Sequence, residues 1–370
     1  MVSTLPDISE LPRCATSLAK RLKELGYSSS GLHRVLGDDG LAALDRHEPA
    51  AVSFACNRFE HQAPNEHDHR LARAVRLLIL REPQPRDMFV DTFGDSFFTD
   101  ALSAGVIVDE TDTDPQRFRI AIDIRPLHVG PSESSDFLVF SDADASMVDH
   151  SAGPDHVVGV GAASRSLLQA TGTSHVGSVL DLGTGSGVQI MGQWGRAHLV
   201  TATDVSPRAL LFAEATCAAA DVVSSAESRT KVEFKQGSWF EPVRAQTFDR
   251  IIANPPFVVG PPTLRHVYRD SGMELDGATA KLVRGIPEHL AAHGQASSWA
   301  RGFTQMIRPG KRGLRRGFRT MVIVHGCWSV IASIPCIMWA RGSRMSLLIL
   351  AVSWADRNQR RGLTIWIRPA

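Results

Sequence analysis

The pattern of apolar and polar positions divides the chain into two regimes. Between residues 176 and 253, four short segments read as strands: 179–182, 198–203, 231–236 and 249–253. Three are apolar or β-branched runs of the length expected for strands covered on both faces, the habit of parallel sheets. Helical character lies between them, in 188–197 and in the alanine-rich stretch behind Ser206-Pro207. That alternation predicts an α/β sheet. The first 150 residues have another rhythm. Segments 18–25, 30–36 and 41–44 read as short helices, with Gly26 and Gly37 as stops. Residues 69–80 and 97–104 predict two more. Residues 117–124 then alternate with period two, and 136–141 supplies a partner strand across the loop 131–135. Helices followed by a hairpin suggest a winged-helix-like module.

Length fits two domains. The net charge of +1 conceals an asymmetry: residues 297–370 hold 13 of the 40 basic residues and one acid, Asp356. That stretch is +12 and the first 296 residues are −11, so the N-terminal module offers no obvious surface for a naked duplex. It reads instead as a protein-docking or positioning module. The five cysteines lack C-x-x-C spacing, which argues against zinc and a disulfide framework. His61, His67 and His69 lack ordered ligand spacing and read as surface loop, so no metal is expected. No leader opens the sequence, which predicts a cytoplasmic protein.

Candidate chemistry gathers where the strands end. The first carries Asp181 and runs into Gly183-Thr184-Gly185-Ser186-Gly187. Glycine permits positive φ and close approach of a ligand, and the amides open onto the next helix. The spacing is G-x-G-x-G, not the G-x-G-x-x-G of a dinucleotide loop. It suits a cofactor without phosphate, S-adenosyl-L-methionine. Asp204 ends the second strand, where a carboxylate can hold a ribose diol; it also suits an N-cap. Ser238 and Trp239 follow the third strand. The tryptophan either stacks on adenine or joins the core. The fourth strand ends in Asn254-Pro255-Pro256-Phe257. There an amide oxygen and the following carbonyl can accept both hydrogens of a target NH2. The prolines add no competing donors, and the phenyl ring offers a face to a planar group. The plain structural reading of Asn-Pro-Pro is a turn.

These segments resemble the class I methyltransferases of the HemK type, which methylate the side-chain amide nitrogen of glutamine in peptide release factors or a ribosomal protein. The resemblance covers about residues 155–295, and Trp239 stands 15 residues before Asn254, as in the family. It implies a Rossmann-like class I methyltransferase domain over 151–296. S-adenosyl-L-methionine would be held by Asp181, Gly183, Thr184, Gly185, Gly187, Asp204, Ser238 and Trp239. Asn254, with Pro255, Pro256 and Phe257, would orient the target nitrogen of a release factor or ribosomal protein. One residue departs: the glutamine enzymes usually carry Tyr at the position of Phe257, whereas relatives acting on guanine or adenine often carry Phe. An exocyclic amine of RNA or DNA therefore stays open as target.

The resemblance also calls for a fifth strand, then a helix and an antiparallel strand pair. Residues 295–302 show no strand pattern, and five of the seven tryptophans lie beyond 297. The expectation is a change of reading frame near residues 294–298, leaving a tail that did not evolve as protein; an inactive remnant that lacks its last strands is the third reading of function. Two other readings of the tail are a membrane helix at 321–340, poor because of His325 and its Gly and Pro, and phosphate contacts from 311–319 to RNA.

Overall fold

The computed structural model describes residues 5–110, 115–130, 136–144, 155–223, 230–255, 277–300, 320–325, 328–333, 336–340 and 347–351, with backbone alone beyond residue 298. Its backbone divides into two compact units. One comprises Met1–Val160, Gly185–Met191 and Arg208–Glu227; the other comprises Gly161–Thr184, Gly192–Pro207 and Ser228–Ala370.

In the first unit, Leu11–Glu24 (α1) buries Leu11, Ala15, Leu18, Ala19 and Leu22, a three-and-four spacing that turns one face to the core. Ser29–Asp45 (α2) starts where Ser28 Oγ accepts from the Gly31 N–H. It breaks at Gly37, whose φ of 64° suits glycine. Pro49–Gln62 (α3) has no counterpart in the sequence pattern because it buries only Val52, Ala55 and Cys56. Glu66–Ile79 (α4) follows, capped by Asn65. Arg86–Phe93 (α5), also unforeseen, and Asp95–Ser103 (α6) complete the helices around an aromatic cluster. Phe93 stacks on Phe97 at 4.5 Å, and Phe98 meets Phe118 edge-on at 5.1 Å. Each such buried ring stabilises by roughly 1.5–3 kcal/mol.

His61 lies on α3, and His67 and His69 lie on α4, not in a loop. Among the described residues no group of three potential ligands gathers. The alternating stretch 117–124 is two strands rather than one. Arg117–Ile120 (β2) pairs antiparallel with Ile107–Glu110 (β1), and Ile122–His128 (β3) pairs with Asp136–Asp142 (β4). The break falls at Ala121, whose N–H turns to the Val106 carbonyl at 2.8 Å. Pro207–Val223 (α9) also belongs to this unit, and Ala209, Phe212, Ala215 and Ala219 join its core.

The second unit holds the sheet. Val176–Leu182 (β5), Ala197–Asp204 (β6), Lys231–Gln236 (β7), Phe248–Ala253 (β8) and Leu290–Ala300 (β9) run parallel in the order β7-β6-β5-β8-β9. Ala162–Ala170 (α7) precedes β5, Val188–Gln193 (α8) follows it, and Gly277–His289 (α10) precedes β9. Leu282 and Ile286 of α10 pack with Leu180, Leu182, Phe248, Ile251 and Ala296 of the strands. Arg250 of β8 is fully buried, and it donates to Gln193 Oε1 and to the Ser174 carbonyl and hydroxyl at 3.2 and 3.0 Å. This is the Rossmann-like class I arrangement, and β5 lies between β6 and β8.

One expectation for the end of the sheet needs correction. A fifth strand, β9, forms where no strand pattern is visible, directly after α10 ends at His289. Its Ala296, Ser297 and Ser298 are buried; small polar residues fit an inner position of a parallel sheet without marking it as apolar. The sheet then continues through Thr320–His325 (β10), Trp328–Ser333 (β11), Cys336–Ala340 (β12) and Leu347–Ala351 (β13). Strand β10 is parallel to β9, and the later pairs are antiparallel. Most of 321–340 is therefore strand rather than a spanning helix. Among the described residues no helix is long and apolar enough to cross a membrane. A parallel β10 is not the antiparallel ending that the resemblance calls for. A change of frame predicts that the coding DNA, read in one of the other two frames from codon 294, continues with a helix and an antiparallel strand pair. Neither frame doing so overturns it.

Candidate active site at the carboxyl edge of the sheet

The site is built by neighbouring strands that stop together. In the parallel ladder Leu182 of β5 stands opposite Ala253 of β8, and Thr203 of β6 stands opposite Leu182. The next residues of β5 and β8, Gly183 and Asn254, therefore leave the sheet at one edge beside Asp204, the last residue of β6, at the point where the strand order reverses, the usual place for ligands in open α/β sheets.

Asp181 is buried, and its Oδ2 accepts from Thr184 Oγ1 at 2.7 Å. Its Oδ1 is buried with no hydrogen-bond partner among the described residues. Burial pushes this carboxyl up to about 7; the Thr184 hydroxyl opposes the shift, and the charge of Asp204 adds to it. The Thr203 carbonyl accepts from both the Gly183 and Thr184 N–H groups, at 2.8 and 2.9 Å. These bonds pin the start of the glycine turn to β6, a role for Thr203 that no side-chain pattern announces.

Gly183, Gly185 and Gly187 have φ of 73°, 54° and 80°, the left-handed region that favours glycine. A Cβ on Gly183 or Gly185 would meet none of the described residues within 4 Å, whereas one on Gly187 would lie 3.3 Å from Ala213 Cα. The first two glycines thus answer to backbone shape, and the described residues leave space above the turn. The third answers to a close helix as well.

Asp204 Oδ1 accepts from the Ser206 N–H at 3.0 Å, so this carboxylate shapes the turn ahead of α9. After β7 the chain turns at Gly237, where a Cβ would strike Pro242 Cγ at 2.5 Å. Ser238 accepts through its carbonyl from the Glu241 N–H at 3.1 Å. Trp239 is half-buried, with φ of 52°, and packs on the sheet's apolar cluster. The ammonium of Lys281 on α10 lies 5.3 Å from its ring centroid. Lys281 was not visible in the sequence as a neighbour of Trp239, because only the packing of α10 brings them together.

Asn254 is half-buried at the end of β8, and its Oδ1 is buried with no hydrogen-bond partner among the described residues. Pro255 is buried. Pro256 and Phe257 lie outside the described residues. Asp181, Gly183, Thr184, Asp204, Ser238, Trp239, Asn254 and Pro255 thus share the second unit. Gly185 and Gly187 group with the first.

Residues 158–295 match the family described as methyltransferase small domain, and residues 24–117 match a domain of unknown function. A release factor glutamine methyltransferase of Cereibacter sphaeroides is 32% identical over 142 residues, which is 35% of this chain and 48% of that protein. The chain spans about half the length of this curated relative. Within residues 158–295 the chain thus carries a methyltransferase small domain. Solved structures similar to the chain include a ribosomal protein L11 methylase of Lactobacillus delbrueckii subsp. bulgaricus, with 20% identity, 36% of this chain and 55% of the other covered, and a TM-score of 0.25. A SAM-dependent methyltransferase of Agrobacterium tumefaciens is 16% identical, with 60% and 59% covered and a TM-score of 0.31.

The raised carboxyl of Asp181 has a consequence for stability. Its folded pKa of about 7 lies above the ordinary value of 3.8. The unfolded chain therefore releases this proton first as pH rises, and the fold loses stability between about 4 and 7. Asp181→Asn keeps an acceptor for Thr184 and cannot ionise. Its unfolding free energy, measured by chemical denaturation, should gain about 2–3 kcal/mol on wild type between pH 5 and pH 7.5. A difference that does not change with pH would show that Asp181 titrates normally.

Proposed function

We propose that the chain transfers a methyl group from S-adenosyl-L-methionine to a planar nitrogen, most directly the side-chain amide of a protein glutamine. The observation that carries this reading is the buried, unpartnered Oδ1 of Asn254 at the sheet edge beside the glycine turn. A buried amide oxygen without a donor costs about 1–3 kcal/mol, and a target N–H removes that cost. The main-chain carbonyl that follows Asn254 accepts the second hydrogen. Held by two acceptors, the nitrogen is drawn out of conjugation and presents its lone pair. The sulfonium of the bound cofactor supplies the electrophilic methyl. The nitrogen–carbon bond forms as the sulfur–carbon bond breaks, and the nitrogen then sheds its proton to water, so no strong base is needed.

The residues present fit that cofactor. The space above Gly183 and Gly185 admits a ligand against the backbone, and Asp181 Oδ1 waits for a donor. A cationic amine at that oxygen would favour the ionised carboxylate. Asp204 ends the strand next to β5, where a carboxylate can meet a ribose diol, and Ser238 and Trp239 stand beyond the neighbouring strand. The similarity to a glutamine methyltransferase of release factors supports a protein partner, a release factor or a ribosomal protein. Phe257 favours a second reading, an exocyclic amine of RNA or DNA, because an aromatic face without a hydroxyl suits a flat base.

Titration of S-adenosyl-L-methionine into the full chain tests the first half of this reading, and its absence from the titration curve would overturn it. Asn254→Ala should cut transfer by about 100-fold or more while the cofactor Kd stays within about threefold of wild type. Asp204→Ala should weaken the cofactor by about tenfold. Loss of cofactor binding in Asn254→Ala would remove the role assigned to that side chain. Assay of release-factor peptides against rRNA separates the two targets.

A further inference from the structure

The second half of the glycine turn is bonded into the N-terminal unit, and the bonds converge on one hydroxyl. Thr216 of α9 is fully buried. Its Oγ1 accepts from the Phe140 N–H of β4 at 3.1 Å and donates to the Ser186 carbonyl of the glycine turn at 3.0 Å. Ser186 in turn donates through Oγ to the Val158 carbonyl at 3.0 Å. The neighbouring Val157 N–H donates to Asp142 Oδ2, at the end of β4, at 2.8 Å. Asp142 is buried and is gripped by Arg208, the second residue of α9, through Nε at 3.0 and 3.2 Å and Nη2 at 2.5 Å. Arg208 Nη1 reaches the Pro6 carbonyl at 2.7 Å.

Hairpin strand, α9, the 157–158 segment and Ser186 therefore form one closed network. None of its members belongs to the set that reads as touching cofactor or target. The close helix at Gly187 strengthens it, because Ala213, 3.3 Å from the position of a Cβ, lies on α9 between Arg208 and Thr216. A network of buried, mutually satisfied groups holds one geometry and moves as a unit.

We propose that Thr216 is a positioning residue, whose hydroxyl ties the glycine turn to strand β4 so that the N-terminal unit sets the affinity for the methyl donor. The hydroxyl touches no ligand; it acts through the Ser186 carbonyl and hence through the amides at Gly185 and Gly187. This inference rests on the glycine turn being the cofactor site.

The test compares Thr216→Val and Thr216→Ser in the full chain, with S-adenosyl-L-methionine titrated calorimetrically and melting followed in parallel. Valine keeps the buried methyl and loses the hydroxyl; serine does the reverse. The donor Kd should rise about tenfold in Thr216→Val and stay within about twofold of wild type in Thr216→Ser, although serine also lowers Tm through its lost methyl. A purely structural threonine would not split affinity from stability in this way. Wild-type affinity in Thr216→Val, or equal weakening in both variants, overturns the proposal. A wild-type chain that binds no donor overturns instead the reading of the glycine turn. Should Thr216→Val not fold, native-state hydrogen exchange of the wild type decides: amides 186–191 opening together with β4 and α9 support the coupling, and independent opening removes it.

Discussion

The pairing of β5 with β8 is the constraint on which the rest of the site depends. Every buried N–H and C=O of β5 must find a partner, and β6 on one side and β8 on the other supply them. A strand so enclosed can release its chain only at its ends. The two loops that carry chemistry therefore rise from neighbouring strands, one residue beyond positions already locked in register. Leu182 opposite Ala253 fixes where Gly183 and Asn254 begin. No long-range side-chain interaction has to bring the glycine turn and the Asn-Pro-Pro segment together; backbone hydrogen bonding does it.

That geometry lets the edge hold groups that a core would not tolerate. Asp181 Oδ1 and Asn254 Oδ1 are buried with no hydrogen-bond partner, and unsatisfied atoms of this kind are few in native proteins. They fall on adjacent strands, Asp181 one residue before the end of β5 and Asn254 one residue beyond the end of β8. By contrast, Asp204 spends one oxygen on the turn into α9, and Ser238 spends its carbonyl on its own turn. The edge thus mixes residues that shape loops with residues that still have acceptors to offer. The second kind marks where a donor-bearing ligand lowers the free energy most.

Much of this was legible in the chain. The strands at 179–182, 198–203, 231–236 and 249–253 are apolar or regularly alternating, and the structure extends each by no more than three residues at either end. The positive-φ glycines announce their turn because no other residue suits it. What stayed hidden has physical causes. Strand β9 is made of Ala296, Ser297 and Ser298, small enough to be buried and too polar to read as a core strand. Helix α3 offers Val52, Ala55 and Cys56 to the core, which is too little apolar surface to show a period. The step at Ala121 splits one alternating run into two hairpins because its N–H is claimed by Val106, a partner distant in sequence.

The least legible feature is how the chain between β5 and β7 is shared out. By sequence, 151–296 looks like one domain, because strands and helices alternate without interruption. In the structure, α9 and residues 185–191 pack with the N-terminal unit. Ala209, Ala215 and Ala219 of α9 join the core of that unit, and from the same helix Thr216 accepts from the Phe140 N–H of β4 and donates to the Ser186 carbonyl. Without that hydroxyl the N–H and the carbonyl would lose these partners in a dry interior, at a cost no surface loop would repay. Alanine reads in the sequence only as helix propensity, which is why its place in that core stays hidden.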